Sequence, residues 1–513
     1  MGKREWMLIG LIALCTALFF LWPTKRAISE STNTVVLLPR IFSLQVADGT
    51  RVQFSSAHEK ETLYTIALGR KKVGTYKYTE RQLSNGDVVH FHSFKNEQRW
   101  TLPMKLRIDT GEVKDVIRWD DHQQTKEHHP VFGVDPTLPP FGRIVTKEHE
   151  WVLMHPVESR MLQHGESSIR EWIQNGEAPL VEEETITYAL NSKHGHILDF
   201  SYFSTNDSFF EESERRYVSW IHDEEMKDLH WLTADGPYTK LPFSIEPSTE
   251  LGFGRAIGRM QDDNALEWFK ETEERYFETL LLQSRAQLER YNREFGGSRW
   301  VTEYTSTWLK NAYGVEAPYV DTRFNEYAAF FLDELSEQMD DTPTTYVQDY
   351  AYYLLEKIKQ GYIISRNDGF LIADYFDGKE HITHSSMNHA LGGLKILLTA
   401  WKETKDETFL QTTEQLVRGF GPASDWIRDN GDLWYQLRPD GTFSGDDYPQ
   451  LTLIDLIEVE ALYESLGLSM PGNLKEMLES KLRFVQSTED KLHPKVEAYV
   501  KKLSTAKRGW DKT

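Results

Sequence analysis

The sequence predicts an α+β chain in which an N-terminal β-rich, sandwich-like domain (28–245) precedes an all-α domain (246–513) built as an incomplete (α/α) toroid with short β-hairpins. Three observations predict it. Period-two alternation broken by turn dipeptides fills the first half, and helical periodicity takes over after Pro247. One device, a hairpin followed by a helix, then occurs twice, at the spacing of Asp374 and Asp447.

In the first half, Phe42-Ser43-Leu44-Gln45-Val46 and Val88-Val89-His90-Phe91-His92-Ser93-Phe94 alternate, and Asp48-Gly49, Asn85-Gly86 and Thr110-Gly111 read as hairpin turns. A second β-rich stretch covers 144–231, with alternation at 185–190 and 197–203. Beyond it, Leu266, Phe269, Tyr276, Phe277, Leu280, Leu288 and Tyr291 fall at helical spacing over 263–295. Two more helical faces follow at 324–335 and 347–358.

The repeated device begins at 361–374, a hairpin turning at Asn367-Asp368-Gly369 that delivers Asp374-Tyr375 to a helix carrying Leu391, Leu394, Leu398 and Trp401. Residues 431–447 do the same, turning at Pro439-Asp440-Gly441 and delivering Asp447-Tyr448 to a helix that opens at Pro449. A second helix follows each, at 409–417 and 474–485. Stacked helix pairs joined by hairpins form a curved array, and equivalent hairpin ends then reach one face. Asp374-Tyr375 and Asp447-Tyr448 are therefore expected to approach a shared cleft.

Ahead of both domains, residues 6–23 form an uncharged apolar run flanked by Lys3, Arg4, Lys25 and Arg26. A run of about 18 residues can cross a bilayer, so residues 1–27 read as a single-pass anchor, with a cleavable signal peptide as the rival reading. The short leading tail suits a cytoplasmic N-terminus, which puts the bulk of the chain outside the cytoplasm, at the cell membrane. The single cysteine, Cys15, lies within the run.

A chain of 513 residues with 58 basic and 80 acidic side chains, formal charge −22, repels nucleic acid. An anionic glycan stays possible, since a local cluster of arginines in a cleft outweighs distant charge screened over about 8–10 Å. His122, His128 and His129 lack the spacing of a zinc site. The glycines of 252–258 lack a βαβ context, so neither a metal nor a cofactor is expected.

The stretch NHALGGLKILLTAWKETKDETFLQTTEQLVRGF (388–420), Asp432-Leu433-Trp434-Tyr435 and Asp446-Asp447-Tyr448-Pro449 together resemble the C-terminal domain of the D-glucuronyl C5-epimerases over about residues 361–468. The resemblance implies an enzyme acting on a uronic-acid-containing polysaccharide, with Asp447 and Tyr448 in the uronate cleft. The family's two further tyrosine motifs are not found downstream. A non-catalytic envelope glycan-binding or scaffold protein, or a related uronate lyase, therefore stands as the alternative.

Abstracting the C5 proton of a uronate creates a carboxylate-stabilised carbanion, so the site needs a base, an acid on the opposite face and a cation for the carboxylate. Tyr448, Tyr375 and Tyr435 are the candidate acids or bases, serving as bases where a neighbouring cation lowers the hydroxyl pKa. His389 is the alternative base. His384 and Asn388-His389 stand at the start of the helix after the first hairpin, and Asn388 can hold a carboxylate while the histidine takes its proton. Arg323, Arg366 and Arg438 are the basic groups available for a bidentate clamp. Asp321 and Glu326 flank Arg323 and supply either further substrate contacts or a plain salt bridge.

Overall fold

The computed structural model describes residues 23–29, 33–102, 104–118, 128–129, 142–154, 156–177, 179–211, 231–242, 244–339, 344–489 and 491–510. The chain divides into two compact units, residues 1–291 and 292–513.

The first unit is built on two antiparallel sheets. One has five strands in the order Pro23–Ser29, Thr34–Pro39, Lys105–Asp109, Thr185–Ala189, Leu180–Val181. The other has fourteen strands, led by the long run Phe42–Gln53, Ala57–Leu68, Lys71–Leu83 and Val88–Asn96. Strand alternation sends Val36, Leu106, Ile108, Ile186 and Tyr188 from the first sheet against Tyr76, Tyr78, Phe94, Phe200 and Tyr202 from the second, in one buried core. Each such side chain contributes about 1.5–3 kcal/mol by leaving water. This is the sandwich arrangement that the alternation predicted.

Only one of the three turn dipeptides closes a hairpin. Asn85-Gly86 joins Lys71–Leu83 to Val88–Asn96, with Gly86 at φ 92°. Asp48-Gly49 instead lies inside the strand Phe42–Gln53, where the register shifts between Val46 and Asp48 as in a β-bulge. Thr110-Gly111 connects strands of different sheets.

The helical stretch at 263–295 breaks at Glu273, which sits at φ 54° and ends the helix Asp263–Thr272 before Arg275–Glu294 begins. The second helix belongs mostly to the sheet-rich unit, so the division lies at 291/292 and not at 246. Its polar face explains this. Arg275 holds Asp87 at 2.8 Å, Arg81 donates to Gln283 at 3.0 Å, and Arg290 pairs with Glu59.

The apolar run at 6–23 lies outside the described residues save for Pro23. Residues 23–29 are a strand paired with Thr34–Pro39, so the C-terminal end of the expected anchor segment belongs to the sandwich. Among the described residues no helix is long and apolar enough to cross a membrane.

The second unit is helical, with two β-hairpins. Its main helices are Thr322–Gln338, Tyr346–Lys359, Met387–Thr404, Glu407–Phe420, Leu451–Ser465, Gly472–Thr488 and Pro494–Trp510. Met387–Thr404 buries Leu391, Leu394, Ile396, Leu397 and Leu398 around its whole circumference, because it packs against Thr322–Gln338, Tyr346–Lys359, Glu407–Phe420 and Leu451–Ser465. The hairpins Ile363–Arg366/Gly369–Ile372 and Trp434–Leu437/Phe443–Asp446 fall where expected. Asn367 and Asp368 both adopt positive φ, and Gly441 sits at φ 82°. Pro449 is not the first residue of the helix after the second hairpin, which starts at Leu451.

Beneath the hairpins an ion network ties three helices together. Arg323 reaches Glu326 at 2.6 Å and Asp455 at 2.8 Å, and Lys395 reaches Glu326, Asp455 and Glu458 at 2.8–2.9 Å. Gly392 makes room for it, since a Cβ there would stand 2.0 Å from Glu326 Oε2.

Nearby, Asp333 is a destabilising charge. Burial, with Glu403 and Glu337 adding to it, pushes its carboxyl up to about 6. An acid whose pKa rises on folding costs stability as pH climbs from its unfolded value through the folded one. Asp333→Asn should therefore raise the thermal midpoint at pH 7–8, with the gain fading toward about pH 4. A gain that does not vary across pH 4–8 in thermal unfolding would contradict this.

Candidate functional site

Two short strand pairings set the site. Strand Tyr375–Phe376, leaving the first hairpin, pairs with Val320–Asp321 and brings Tyr375 opposite Asp321 at the start of helix Thr322–Gln338. Strand Ser385–Ser386 pairs with Trp434–Leu437 of the second hairpin and leads directly into helix Met387–Thr404. The segment 374–389 is thus held on both sides, and its polar groups converge.

At the centre lies the fully buried Asp374. Oδ1 accepts the Ser386 amide at 2.9 Å and Oδ2 accepts the Ser386 hydroxyl at 2.5 Å. Two imidazoles flank it, with His384 Nε2 3.1 Å from Oδ2 and His389 Nδ1 3.8 Å from Oδ1. Burial alone would raise the Asp374 carboxyl, but His389, His384 and the Ser386 hydrogen bond outweigh burial and hold it below its ordinary value. Asp374 therefore stays an anion facing both imidazoles.

His389 is the more accessible of the two. Its Nδ1 shares a 2.7 Å hydrogen bond with the Thr322 hydroxyl, and among the described residues Nε2 has no hydrogen-bond partner. The ring keeps a small exposed edge, at 9% exposure. Next to it, Asn388 is buried with Oδ1 unpartnered. His384 is sealed at 0% exposure, and its Nδ1 also has no hydrogen-bond partner.

The tyrosines behave differently from a base lowered by a cation. Tyr375 lies 5.9 Å, ring to ring, from both His384 and His389, and burial beside Asp321 and Asp374 pushes its hydroxyl well above the ordinary value. Tyr435, 6.3 Å from His384, is raised by burial and then by Asp374. Both keep their protons at neutral pH, so each can donate and neither is a resting base. Asp321 is committed to capping, accepting from the Arg323 and Phe324 amides at 2.9 and 3.1 Å, and burial raises its carboxyl.

An aromatic margin surrounds these groups. Tyr313 stacks on His384 at 5.5 Å, Trp308 meets His384 edge to face at 5.3 Å, and Tyr448 meets Tyr435 edge to face at 5.6 Å. Tyr375 and Tyr448, delivered by successive hairpins, thus join one ring cluster through His384 and Tyr435.

Of the residues singled out from sequence, Tyr375, Tyr435, Tyr448, Asn388 and His389 come together here. Asp447 does not. Its side chain points the other way from Tyr448, as neighbours on an extended segment do, and meets Lys481 at 2.7 Å and Thr452 at 2.7 Å in a buried pair. Arg323 and Glu326 are consumed by the ion network below. Arg366 donates to Phe420 O at 2.7 Å and pairs with Asp425, which ties it to the outer helices. Arg438 forms no ion pair among the described residues, and its charge reaches Tyr313, opposing the rise that burial imposes on that hydroxyl.

Trp308, Tyr313 and Thr322 were not foreseen. They lie 52 or more residues upstream of Asp374 and carry no local motif that ties them to it. Among the described residues no group of three or more His, Cys, Asp or Glu side chains could hold a metal ion.

No protein-family model matches the chain, and no curated protein matches it in sequence. Among solved structures it is similar to an unsaturated glucuronyl hydrolase from Bacillus sp. GL1, at TM-score 0.32 and 10% identity over 45% of this chain and 57% of that one. It is also similar to a cellobiose 2-epimerase from Spirochaeta thermophila, at TM-score 0.33 and 11% identity over 54% and 66%. A glycoside hydrolase family 76 mannosidase from Bacteroides thetaiotaomicron gives TM-score 0.32 and 13% identity over 48% and 65%. The chain spans less than two thirds of the length of each. Similarity at this level carries no functional argument, so the reading rests on the site's own chemistry.

Proposed function

We propose that the protein is a membrane-anchored, glycan-modifying enzyme that moves the C5 proton of uronic acid residues in a polysaccharide. Its helical unit is the incomplete (α/α) toroid that the glucuronyl C5-epimerase resemblance implies. The observation that carries the reading is the imidazole of His389, fixed at Nδ1 by the Thr322 hydroxyl, with the Asp374 carboxylate 3.8 Å away and, among the described residues, no hydrogen-bond partner at Nε2, beside a tyrosine held in its protonated form. A base oriented by a third group is the arrangement that proton abstraction requires.

In this mechanism the C5–H bond breaks, its proton passes to His389 Nε2, and its electrons move into the substrate carboxylate. Arg438 pairs with that carboxylate and stabilises the developing charge. Tyr375 returns a proton to C5, and its hydroxyl is restored from His389 through solvent, so the reaction is a net isomerisation. Expulsion of the C4 substituent from the same intermediate would instead give an unsaturated uronate.

Purified protein is incubated in heavy water with a polymer of glucuronate and N-acetylglucosamine. Deuterium at C5 reports exchange, and near-ultraviolet absorption reports elimination. Binding without either outcome favours the non-catalytic glycan-binding reading.

The anchor rests on the apolar run and its basic flanks. Removing residues 1–22 should move the protein from the membrane fraction to the soluble one with its unfolding midpoint unchanged. Removing 1–29 should lower the midpoint, because it also deletes the strand paired with Thr34–Pro39 and Ile28 from the core. Full-length protein found in the soluble fraction would contradict the anchor.

A further inference from the structure

We propose that Trp308 and Tyr448 are sugar-stacking platforms at the two ends of the catalytic cluster, so that the protein grips an internal stretch of a glycan chain and not only its terminus. This rests on the function proposed above and specifies the substrate's form.

Both rings are 47% exposed, an unusual position for such large apolar surfaces. Neither is loosely held. Trp308 is braced edge to face by Tyr313 at 5.9 Å and His384 at 5.3 Å, and Tyr448 by Tyr435 at 5.6 Å. Rings fixed in this way lose little conformational entropy when a ligand stacks on them.

Ring contacts link the two one after another. Trp308 leads to His384 at 5.3 Å, His384 to Tyr435 at 6.3 Å, and Tyr435 to Tyr448 at 5.6 Å. The exposed members stand at the ends of this chain of contacts, and Tyr375 adjoins its middle through His384 and meets His389. A pyranose presents axial C–H groups on one face and hydroxyls around its edge. The C–H groups suit the electron-rich face of an aromatic ring, which leaves the hydroxyls around the edge for polar contacts. Two platforms separated by a reaction centre therefore match a chain that continues on both sides of the reacting sugar. Arg438, exposed and acting on Tyr313, adds a preference for an acidic chain.

The test measures affinity for the same glucuronate polymer, its hexasaccharide and its disaccharide by calorimetry, for wild type, Trp308→Ala, Trp308→Phe and Tyr448→Ala. Each alanine variant should weaken hexasaccharide binding by about tenfold, while Trp308→Phe recovers most of the loss. Disaccharide binding should change less. Both side chains are exposed, so unfolding midpoints should match wild type and serve as the folding control. Wild-type turnover with affinity independent of chain length, or alanine variants within about twofold of wild type on the hexasaccharide, would overturn the platforms alone. Wild type that binds none of the three ligands would overturn both the platforms and the proposed function.

Discussion

Tyr375→Phe is expected to lower turnover of a glucuronate polymer by about 10²-fold or more, with little change in stability. Phenylalanine keeps the ring contacts to Tyr319 at 5.6 Å and to both histidines at 5.9 Å, and removes only the hydroxyl. In the proposed reaction Tyr375 delivers the proton in the second half, so the loss should fall on kcat more than on KM. Exchange of C5 hydrogen with solvent should survive better than net inversion. The alkaline side of the wild-type pH profile offers a second check. Burial and the neighbouring Asp321 and Asp374 carry the hydroxyl's loss of proton far above its ordinary range, so no alkaline limb from this group should appear below about pH 10. Unchanged kcat would remove Tyr375 from the reaction.

Lys481→Met should cost about 3–5 kcal/mol of stability at pH 7. Lys481 is fully buried and is held 2.5 Å from Asp432 and 2.7 Å from Asp447, which leaves both carboxylates uncompensated once the ammonium is gone. Burial already raises Asp447 against the opposing pull of Lys481, and losing that cation raises it further. An acid whose pKa is raised on folding costs stability as pH climbs from its unfolded value through the folded one. The deficit should thus shrink as pH falls through the carboxylate range. Adding Asp432→Asn and Asp447→Asn should recover much of the loss. A urea midpoint like wild type at pH 7 would show that the pair contributes little.

Asp447 also shows how far sequence alone reaches into this molecule. The hairpin at Asn367-Asp368-Gly369 was legible because its signal is local, two residues at positive φ between apolar strands. Asp48-Gly49 carries a similar local signal, yet there it marks a bulge inside a twelve-residue strand, since a dipeptide does not reveal whether the chain reverses around it. The helix Arg275–Glu294 was readable as a helix but not as part of the β-rich unit, because the contact that assigns it, Arg275 to Asp87, joins residues 188 apart.

The site follows the same division. Asn388, His389, Tyr375 and Tyr448 sit at hairpin exits and helix starts, positions that a repeat makes visible, and Tyr435 lies in the strand that enters the second hairpin. The Arg323 salt bridge to Glu326 was legible from their spacing, but the second partner, Asp455, lies 132 residues away. Asp447 shared a motif with Tyr448, and only the alternation of an extended segment separates their directions. Nothing in the local sequence joined Trp308 or Thr322 to the histidines.

C5 deuterium incorporation in heavy water, followed side by side for wild type and His389→Gln, decides whether His389 moves the substrate proton. Glutamine carries a polar amide to the position of Nε2 but cannot take up a proton there. The proposed chemistry predicts deuterium at C5 with wild type and incorporation at least about 10²-fold slower with His389→Gln, while polymer affinity stays within about threefold. Equal incorporation by the two proteins, or none by a wild type that binds the polymer, would contradict it.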